Sequence, residues 1–356
     1  MQFASDNTAG APQPVLDAVL RANEGFAPSY GADEWTARAA GLMNELFERE
    51  VAVFLVATGT AANALALGCL TPPFGAVLCH AESHLHEEEC GAPEFYTGGA
   101  KLVGLEGAAG KLDPESVREA LGRFHKGSPR NVQPAVLSLT QATEAGTVYR
   151  PAELAALADV AKAAGLAVHM DGARFANAAA ALGCRPAALS WRAGVDVLSF
   201  GGTKLGALNA EAVVFFDPAH AHDMPFRRKR GGHLFSKSRF AAAQFTALIE
   251  DGLWLRLATH ANAMAARLAA GLERVPMARL AAPVEANEVF ALLAPEAEAR
   301  LKVAGARFQR WDSPGLRRDA GAAPDEVLVR LVTSWATRAA EVDDFLQVLA
   351  AVEASA

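Results

Sequence analysis

Three short stretches carry residues that could grip a single ligand: Thr58-Gly59-Thr60-Ala61-Ala62-Asn63, Asp171-Gly172-Ala173-Arg174 and Gly201-Gly202-Thr203-Lys204. In the first, small residues open a helix and leave backbone amides free, which makes a seat for a phosphate. The second sets a carboxylate at the end of an apolar run at 166–170. A carboxyl in such a low-dielectric place needs a partner, and a protonated pyridine nitrogen is one. The third sets an amine on a glycine-rich loop just past the run at 195–200, where close backbone approach and partial desolvation favour a Schiff base. Phosphate, ring nitrogen and aldehyde are the three handles of pyridoxal phosphate, so the set points to an enzyme that uses this coenzyme.

Singly, each stretch has a plainer reading. Thr58 can be an ordinary helix cap, Asp171 the N-cap of a helix over 174–182, and Lys204 a solvated surface charge. What separates the set from these is its order of cradle, carboxylate and amine, each at a strand end, where open α/β sheets collect ligands.

A rival cluster lies at Cys79-His80-Ala81-Glu82-Ser83-His84-Leu85-His86-Glu87-Glu88-Glu89-Cys90, with two thiols, three imidazoles and several carboxylates that could be a zinc site. Its groups crowd one local stretch without a familiar metal spacing, and a metal accounts for neither Asp171 nor Lys204. No metal is expected, and Glu87 to Glu89 read as charges at a helix N-terminus. Arg227-Arg228-Lys229-Arg230 is a basic run with two readings: a solvated face, or phosphate neutralisation across a subunit interface, with Arg230 the residue assigned to the second.

Positioning these groups requires a sheet. Apolar runs too short for helices, at 51–57, 76–79, 101–105, 135–139, 166–170, 195–200 and 212–216, alternate with amphipathic segments. They are apolar on both faces, which predicts a mostly parallel sheet flanked by helices, an α/β fold. Residues 2–10 read as a polar loop, and a helix starts at Pro12 or Pro14. A second helix has Asp33 as N-cap and buries Trp35, Leu42 and Leu46; others open at Asp113-Pro114 and at Pro151, the latter stopped by Gly165. After an Ala-rich helix near 262–273 come a strand at 288–293, a helix at 295–303, strands at 306–311 and 327–332 and a helix at 339–352. This change of pattern divides the chain into a large coenzyme-binding domain with an N-terminal arm (1–258) and a small α+β domain (259–356). The stretch 315–324, rich in Gly, Asp and Arg, is the expected mobile loop.

Composition narrows the field further. A chain of 356 residues, 51% of them apolar, can bury a large core, and a net charge of −7 argues against a nucleic-acid or anionic-membrane binder. The four cysteines show no CxxC spacing, and no apolar run is long enough to span a bilayer, so a reducing, cytoplasmic setting is the expectation.

The sequence resembles the low-specificity L-threonine aldolases, which share the aspartate-aminotransferase-like architecture of pyridoxal phosphate enzymes called fold type I. The motifs that carry the likeness are Ser5-Asp6-Asn7-Thr8, Tyr30-Gly31, Thr58-Gly59-Thr60-Ala61 with Asn63, Ser83-His84, Asp171-Gly172-Ala173-Arg174, Gly202-Thr203-Lys204 and Arg330-Leu331-Val332-Thr333, spread over nearly the whole chain. The resemblance implies Lys204 as the Schiff-base lysine, Asp171 at the pyridine nitrogen, Gly59 and Thr60 at the phosphate, and His84 stacked on the ring. It also implies Ser5, Arg174 and Arg330 on the substrate carboxylate, Tyr30 contributed by a neighbouring subunit, and a homotetramer built as a dimer of dimers with shared active sites. The implied reaction cleaves L-3-hydroxy-α-amino acids, such as threonine, allo-threonine and phenylserine, to glycine and an aldehyde.

Arginine suits that carboxylate, because its planar fork makes two parallel hydrogen bonds and so fixes which bond at Cα stands perpendicular to the coenzyme ring. Alternatives are a helix-surface charge for Arg174 and a strand-end salt bridge for Arg330. For Arg330, inside the apolar run 327–332, function is favoured, since an unpaired buried guanidinium is costly. One departure stands out. Where the family often has a histidine after the strand that ends here at Leu139, this chain reads Thr140-Gln141-Ala142-Thr143-Glu144-Ala145-Gly146. The proton of the substrate β-hydroxyl must then go to His84, Glu144 or water, with His84 and water the expected pair. Two other readings stay open: a β-eliminating lyase with the same coenzyme, and a silent oligomeric scaffold, against which an intact Lys204 argues.

Overall fold

The computed structural model describes residues 1–351. One sheet contains β1 (Ala52–Val56), β2 (Gly75–His80), β3 (Lys101–Leu105), β4 (Gln133–Thr140), β5 (Ala167–Gly172), β6 (Val197–Phe200) and β7 (Glu211–Phe215), in the order β1-β7-β6-β5-β4-β2-β3. Strands β3, β2, β4, β5 and β6 pair in parallel, while β7 runs antiparallel to β6 and β1. Residues of β2, β6 and β7 are buried throughout, as strands sandwiched between helix layers must be. The strand order reverses between β2 and β4, and a crevice opens at the carboxyl ends of strands at such a point.

The helices are α1 (Gln13–Ala22), α2 (Glu34–Phe47), α3 (Gly59–Leu70), α4 (His84–Glu87), α5 (Ala92–Thr97), α6 (Pro114–Gly122), α7 (Pro151–Ala163), α8 (Phe175–Leu182), α9 (Met224–Arg230), α10 (Arg239–Ile249), α11 (Leu253–Leu272), α12 (Pro295–Val303), α13 (Pro314–Asp319) and α14 (Ala339–Ala350). Several start where their sequences say they should. Asp33 caps α2 by accepting from Thr36 N at 2.9 Å, and Asp113 caps α6. Helix α3 is small and apolar on every side, and its residues Ala61 to Gly68 are buried, the mark of a helix enclosed by neighbours. No described helix is long and apolar enough to cross a membrane.

A second, antiparallel sheet has the order β10 (Gln309–Arg310), β11 (Val327–Val332), β9 (Glu288–Leu293), β8 (Ala278–Leu280) and encloses its own apolar cluster, including Phe3, Leu268, Val289, Val329 and Phe345. The N-terminal arm departs from the expected polar loop. Phe3 is fully buried, its amide donates to Arg307 O at 2.8 Å, and its carbonyl accepts from Val332 N at 2.9 Å. Helix α11 begins earlier than expected, so Trp254 and Ala258 pack in the main core while Leu268 and Leu272 pack in the second. Two other expectations need correction. The strand at 306–311 is reduced to Gln309–Arg310, and β8 has no counterpart in the periodicity because three residues are too few to show one. The stretch 315–324 is not all loop: α13 starts it, capped by Ser313 Oγ, which accepts from Leu316 N at 3.0 Å. The C-terminal helix is described to Ala350; Val352, its expected end, lies outside the described residues.

Candidate active site

β1 runs into Thr58, whose extended backbone and hydroxyl cap α3, with Oγ1 accepting from Ala61 N at 3.2 Å. The amides of Gly59 and Thr60 have no acceptor among the described residues. A Cβ added at Gly59 would meet nothing within 4 Å, so the helix mouth faces open space in which an anion gains both amides and the dipole.

Asp171, next to last in β5 and 5% exposed, accepts from Ala173 N at 3.0 Å through Oδ1 and from Asn63 Nδ2 at 2.8 Å through Oδ2. It does not cap α8, whose N-cap is Arg174 without a side-chain bond, so the helix-cap alternative is excluded. Lys204 sits in a short turn, Thr203–Leu205, just past β6. Glu211 braces that turn by accepting from Gly202 N at 2.7 Å, and burial pushes its carboxyl above the usual range. Glycine is required before the lysine, because a Cβ at Gly201 or Gly202 would run into the carbonyl of Ala173 or Ala210. The Lys204 amine has no protein partner among the described residues.

His84 lies at the strand-order reversal, at the start of α4 beyond β2. Its amide donates to Glu144 Oε1 at 2.8 Å, and its Nδ1 is 3.0 Å from Glu89 Oε1. The bond to Glu89 holds the imidazole above its ordinary value, against burial and the Lys204 amine, with Asp171 reinforcing it. Glu144 also accepts from Thr140 Oγ1 at 2.8 Å, and burial pushes its carboxyl up to about 7, its bond from the His84 amide working the other way. The expectation that Glu87 to Glu89 are charges at a helix N-terminus is corrected: Glu87 ends α4 and Glu88 is its C-cap. The Glu89 side chain is wholly buried, and its Oε1 accepts from Asn63 Nδ2 at 2.8 Å. Left-handed backbone at Cys90 (φ 51°) and Gly91 (φ 73°) follows directly after it, and Cys90-Gly91 was the only trace of this turn in the sequence.

Lys204, Asp171, Gly59, Thr60, His84, Glu144, Arg174 and Arg330 line one cavity of about 860 Å³. Arg174 is engaged on two sides: Nε and Nη2 donate to Asp6 at 2.9 and 3.2 Å, and Nη1 lies 3.0 Å from Glu288 Oε2. It is not the helix-surface charge of the alternative reading. Arg330 lies 4.0 Å over the ring of Trp311, donates through Nη2 to Gln309 Oε1 at 2.8 Å, and buries an Nε without a partner among the described residues. Desolvation lowers its pKa from the usual arginine value.

Three expected site residues lie away from this wall. Ser5 Oγ accepts from Asn7 N at 3.1 Å, and Asn7 itself lines the cavity. Tyr30 is 53% exposed, with Lys229 Nζ 5.3 Å over its ring, and Arg230 is exposed on α9. Glu211 and Glu288 are polar groups of the pocket that the sequence did not single out, while Asn63 and Glu89 were quoted within longer stretches without a role of their own.

The donor set fits a ligand with an anionic end, a ring nitrogen and a carbonyl. Free amides, a buried carboxyl and an unpaired amine face one volume, and the buried oxygens Asn63 Oδ1 and Thr203 Oγ1 in its wall lack partners among the described residues. Among those residues no three His, Cys, Asp or Glu side chains converge as a metal site; Cys79 is buried and Cys90 exposed.

Comparison with known proteins agrees with this geometry. A family model described as "Beta-eliminating lyase" matches residues 2–296. A low specificity L-threonine aldolase of a Pseudomonas strain is 45% identical over 352 residues, 99% of this chain and 97% of that protein. A second protein of that name, from Pseudomonas aeruginosa, is 48% identical over 88% of this chain and 90% of its own length. The solved structure of Leishmania major threonine aldolase superposes with a TM-score of 0.91 at 30% identity, covering 99% of both chains.

Proposed function

Since the chain belongs to the beta-eliminating lyase family, among its low-specificity L-threonine aldolases, we propose that it cleaves L-threonine and L-allo-threonine, and also phenylserine, between Cα and Cβ to give glycine and an aldehyde. It is a fold type I lyase that uses pyridoxal phosphate. The observation that carries the reading is the convergence of Lys204, Asp171 and the free α3 amides on one cavity. Of the residues that would hold the coenzyme, Gly59 and Thr60 take the phosphate, Asp171 the ring nitrogen and Lys204 the aldehyde carbon, with His84 against the ring face. When bound, the coenzyme supplies an electron sink for the pair left at Cα.

The chain's own groups orient the substrate and move its protons. Arg330 anchors the substrate carboxylate, because its buried Nε lacks a partner among the described residues and Trp311 holds the fork in place. Arg174 acts mainly by fixing the arm that brings Asn7 to the cavity, its charge being already met by Asp6 and Glu288. His84, with water, takes the β-hydroxyl proton on the Nε2 side, since Nδ1 is engaged by Glu89. Tyr30 and Arg230 join the site only when neighbouring subunits are assembled, while Ser5 on the docked arm keeps a free O–H to donate to the substrate carboxylate. Exposed Phe26, Phe95 and Phe226 support that assembly, a tetramer of two dimers, and sedimentation tests it.

Incubating the holoenzyme with L-threonine tests the activity. Acetaldehyde and glycine are expected; 2-oxobutanoate and ammonia instead would assign a β-eliminating lyase. No product from threonine, allo-threonine or phenylserine would defeat the proposal.

A further inference from the structure

Between the carboxyl at the ring-nitrogen position and the imidazole over the ring lies a buried link that the mechanism above leaves without a task. Asn63, on the second turn of α3, donates through Nδ2 to Asp171 Oδ2 and to Glu89 Oε1, both at 2.8 Å. Glu89 Oε1 in turn lies 3.0 Å from His84 Nδ1. Donor directions are forced by chemistry. Both partners of Asn63 are carboxyl oxygens, so its amide nitrogen must face them, and a carboxylate beside His84 Nδ1 makes that nitrogen the donor. The side chain of Glu89 has no solvent contact, so it cannot relax into water when its partners change.

We propose that Glu89, held by Asn63, is a positioning residue that fixes the tautomer and proton affinity of His84 and couples them to Asp171. It keeps the proton on Nδ1 and leaves the Nε2 lone pair for the reacting hydroxyl. This rests on the reading of His84 as the imidazole of the reaction. Other charged groups around His84 cannot substitute. Glu88 Oε2 is 3.9 Å from Nε2 and largely exposed, Glu144 binds the His84 amide and not its ring, and Asp171 and Lys204 act only through space with opposite signs.

Two substitutions shift the imidazole in opposite directions, which simple loosening of the core cannot do. Glu89→Gln removes the charge facing Nδ1 and moves the His84 titration, read by NMR of histidine labelled at Cε1 in the holoenzyme, to lower pH. Asn63→Leu removes a donor competing for Glu89 and moves it to higher pH. The acidic limb of kcat/KM for threonine follows each shift, while the visible coenzyme band persists. Unchanged titration in both variants, or shifts of the same sign, would overturn the proposal. Should Glu89→Gln fail to fold, the sign of the Asn63→Leu shift decides. His84→Asn separates the two levels: if it leaves the pH profile intact, the reading of His84 fails, whereas if it removes the limb and the Glu89 and Asn63 variants do not move the titration, only the positioning role fails.

Discussion

The Nε of Arg174 stands 2.9 Å from Oδ2 of Asp6, joining the loop after β5 to an N-terminal arm 168 positions away. Both groups are buried, and Glu288 closes the other side of the guanidinium at 3.0 Å. Asp6→Ala should therefore cost about 3–5 kcal/mol, the usual loss when one partner of a buried ion pair is removed. Urea unfolding measures it. The pH dependence has a definite sign: burial alone would raise the Asp6 carboxyl, but Arg174 more than offsets it and holds the group below 3.8. The stability from this pair is thus complete above 3.8, and falling pH removes it through the range beneath that value. A variant with unchanged stability and the same acid limb contradicts this.

Glu144 behaves in the opposite way. Burial pushes its carboxyl from 4.5 to about 7, so the folded state stays protonated where the unfolded chain ionises, and wild-type stability declines as pH rises between those values. Glu144→Gln removes that penalty while keeping an acceptor for the His84 amide. Relative to wild type it should gain up to about 3 kcal/mol between pH 4 and 8, in denaturant titrations at the two pH values. Parallel wild-type and variant curves would show the carboxyl to be ordinary.

Arg330→Lys keeps the charge and loses the fork. The expected result is a fall in kcat/KM for threonine of about 10- to 100-fold, matching the ~1.5–3 kcal/mol of a charged hydrogen bond, with the coenzyme absorbance intact. Steady-state kinetics with and without excess coenzyme check this. An unaltered kcat/KM removes Arg330 from the substrate carboxylate.

Glu82 bridges the two parts of the cavity rim, accepting from Ser313 Oγ at 2.6 Å and from Gly315 N at 2.8 Å. Glu82→Ala should speed hydrogen exchange across α13 and raise KM severalfold, leaving β2 and β4 protected, because the bonds lost are local to the rim. Protection of α13 equal to wild type would show that other contacts hold it.

Much of the site was legible because its chemistry is local. Thr58 to Thr60, Asp171 and Lys204 each follow an apolar run, and β3, β9 and β11 match the stretches their apolar patterns indicated. What escaped notice depends on contacts distant in sequence or on turns too short to show a period. Glu89 read as one more charge at a helix N-terminus, because nothing in the order of residues tells that left-handed backbone at Cys90 and Gly91 follows a single turn of helix and leaves it against Asn63. Asp6 and Glu288 could not be matched to Arg174 from spacing. Phe3 was hidden in a polar stretch although it anchors the arm to the second sheet.

The most direct test of the account is borohydride reduction of the purified protein, followed by peptide mass mapping, for wild type and Lys204→Ala. Loss of the visible band with a pyridoxyl group on the peptide that contains Lys204, and no such adduct in the variant, is the predicted result. A label on another lysine, or none on a protein supplied with pyridoxal phosphate, would contradict it.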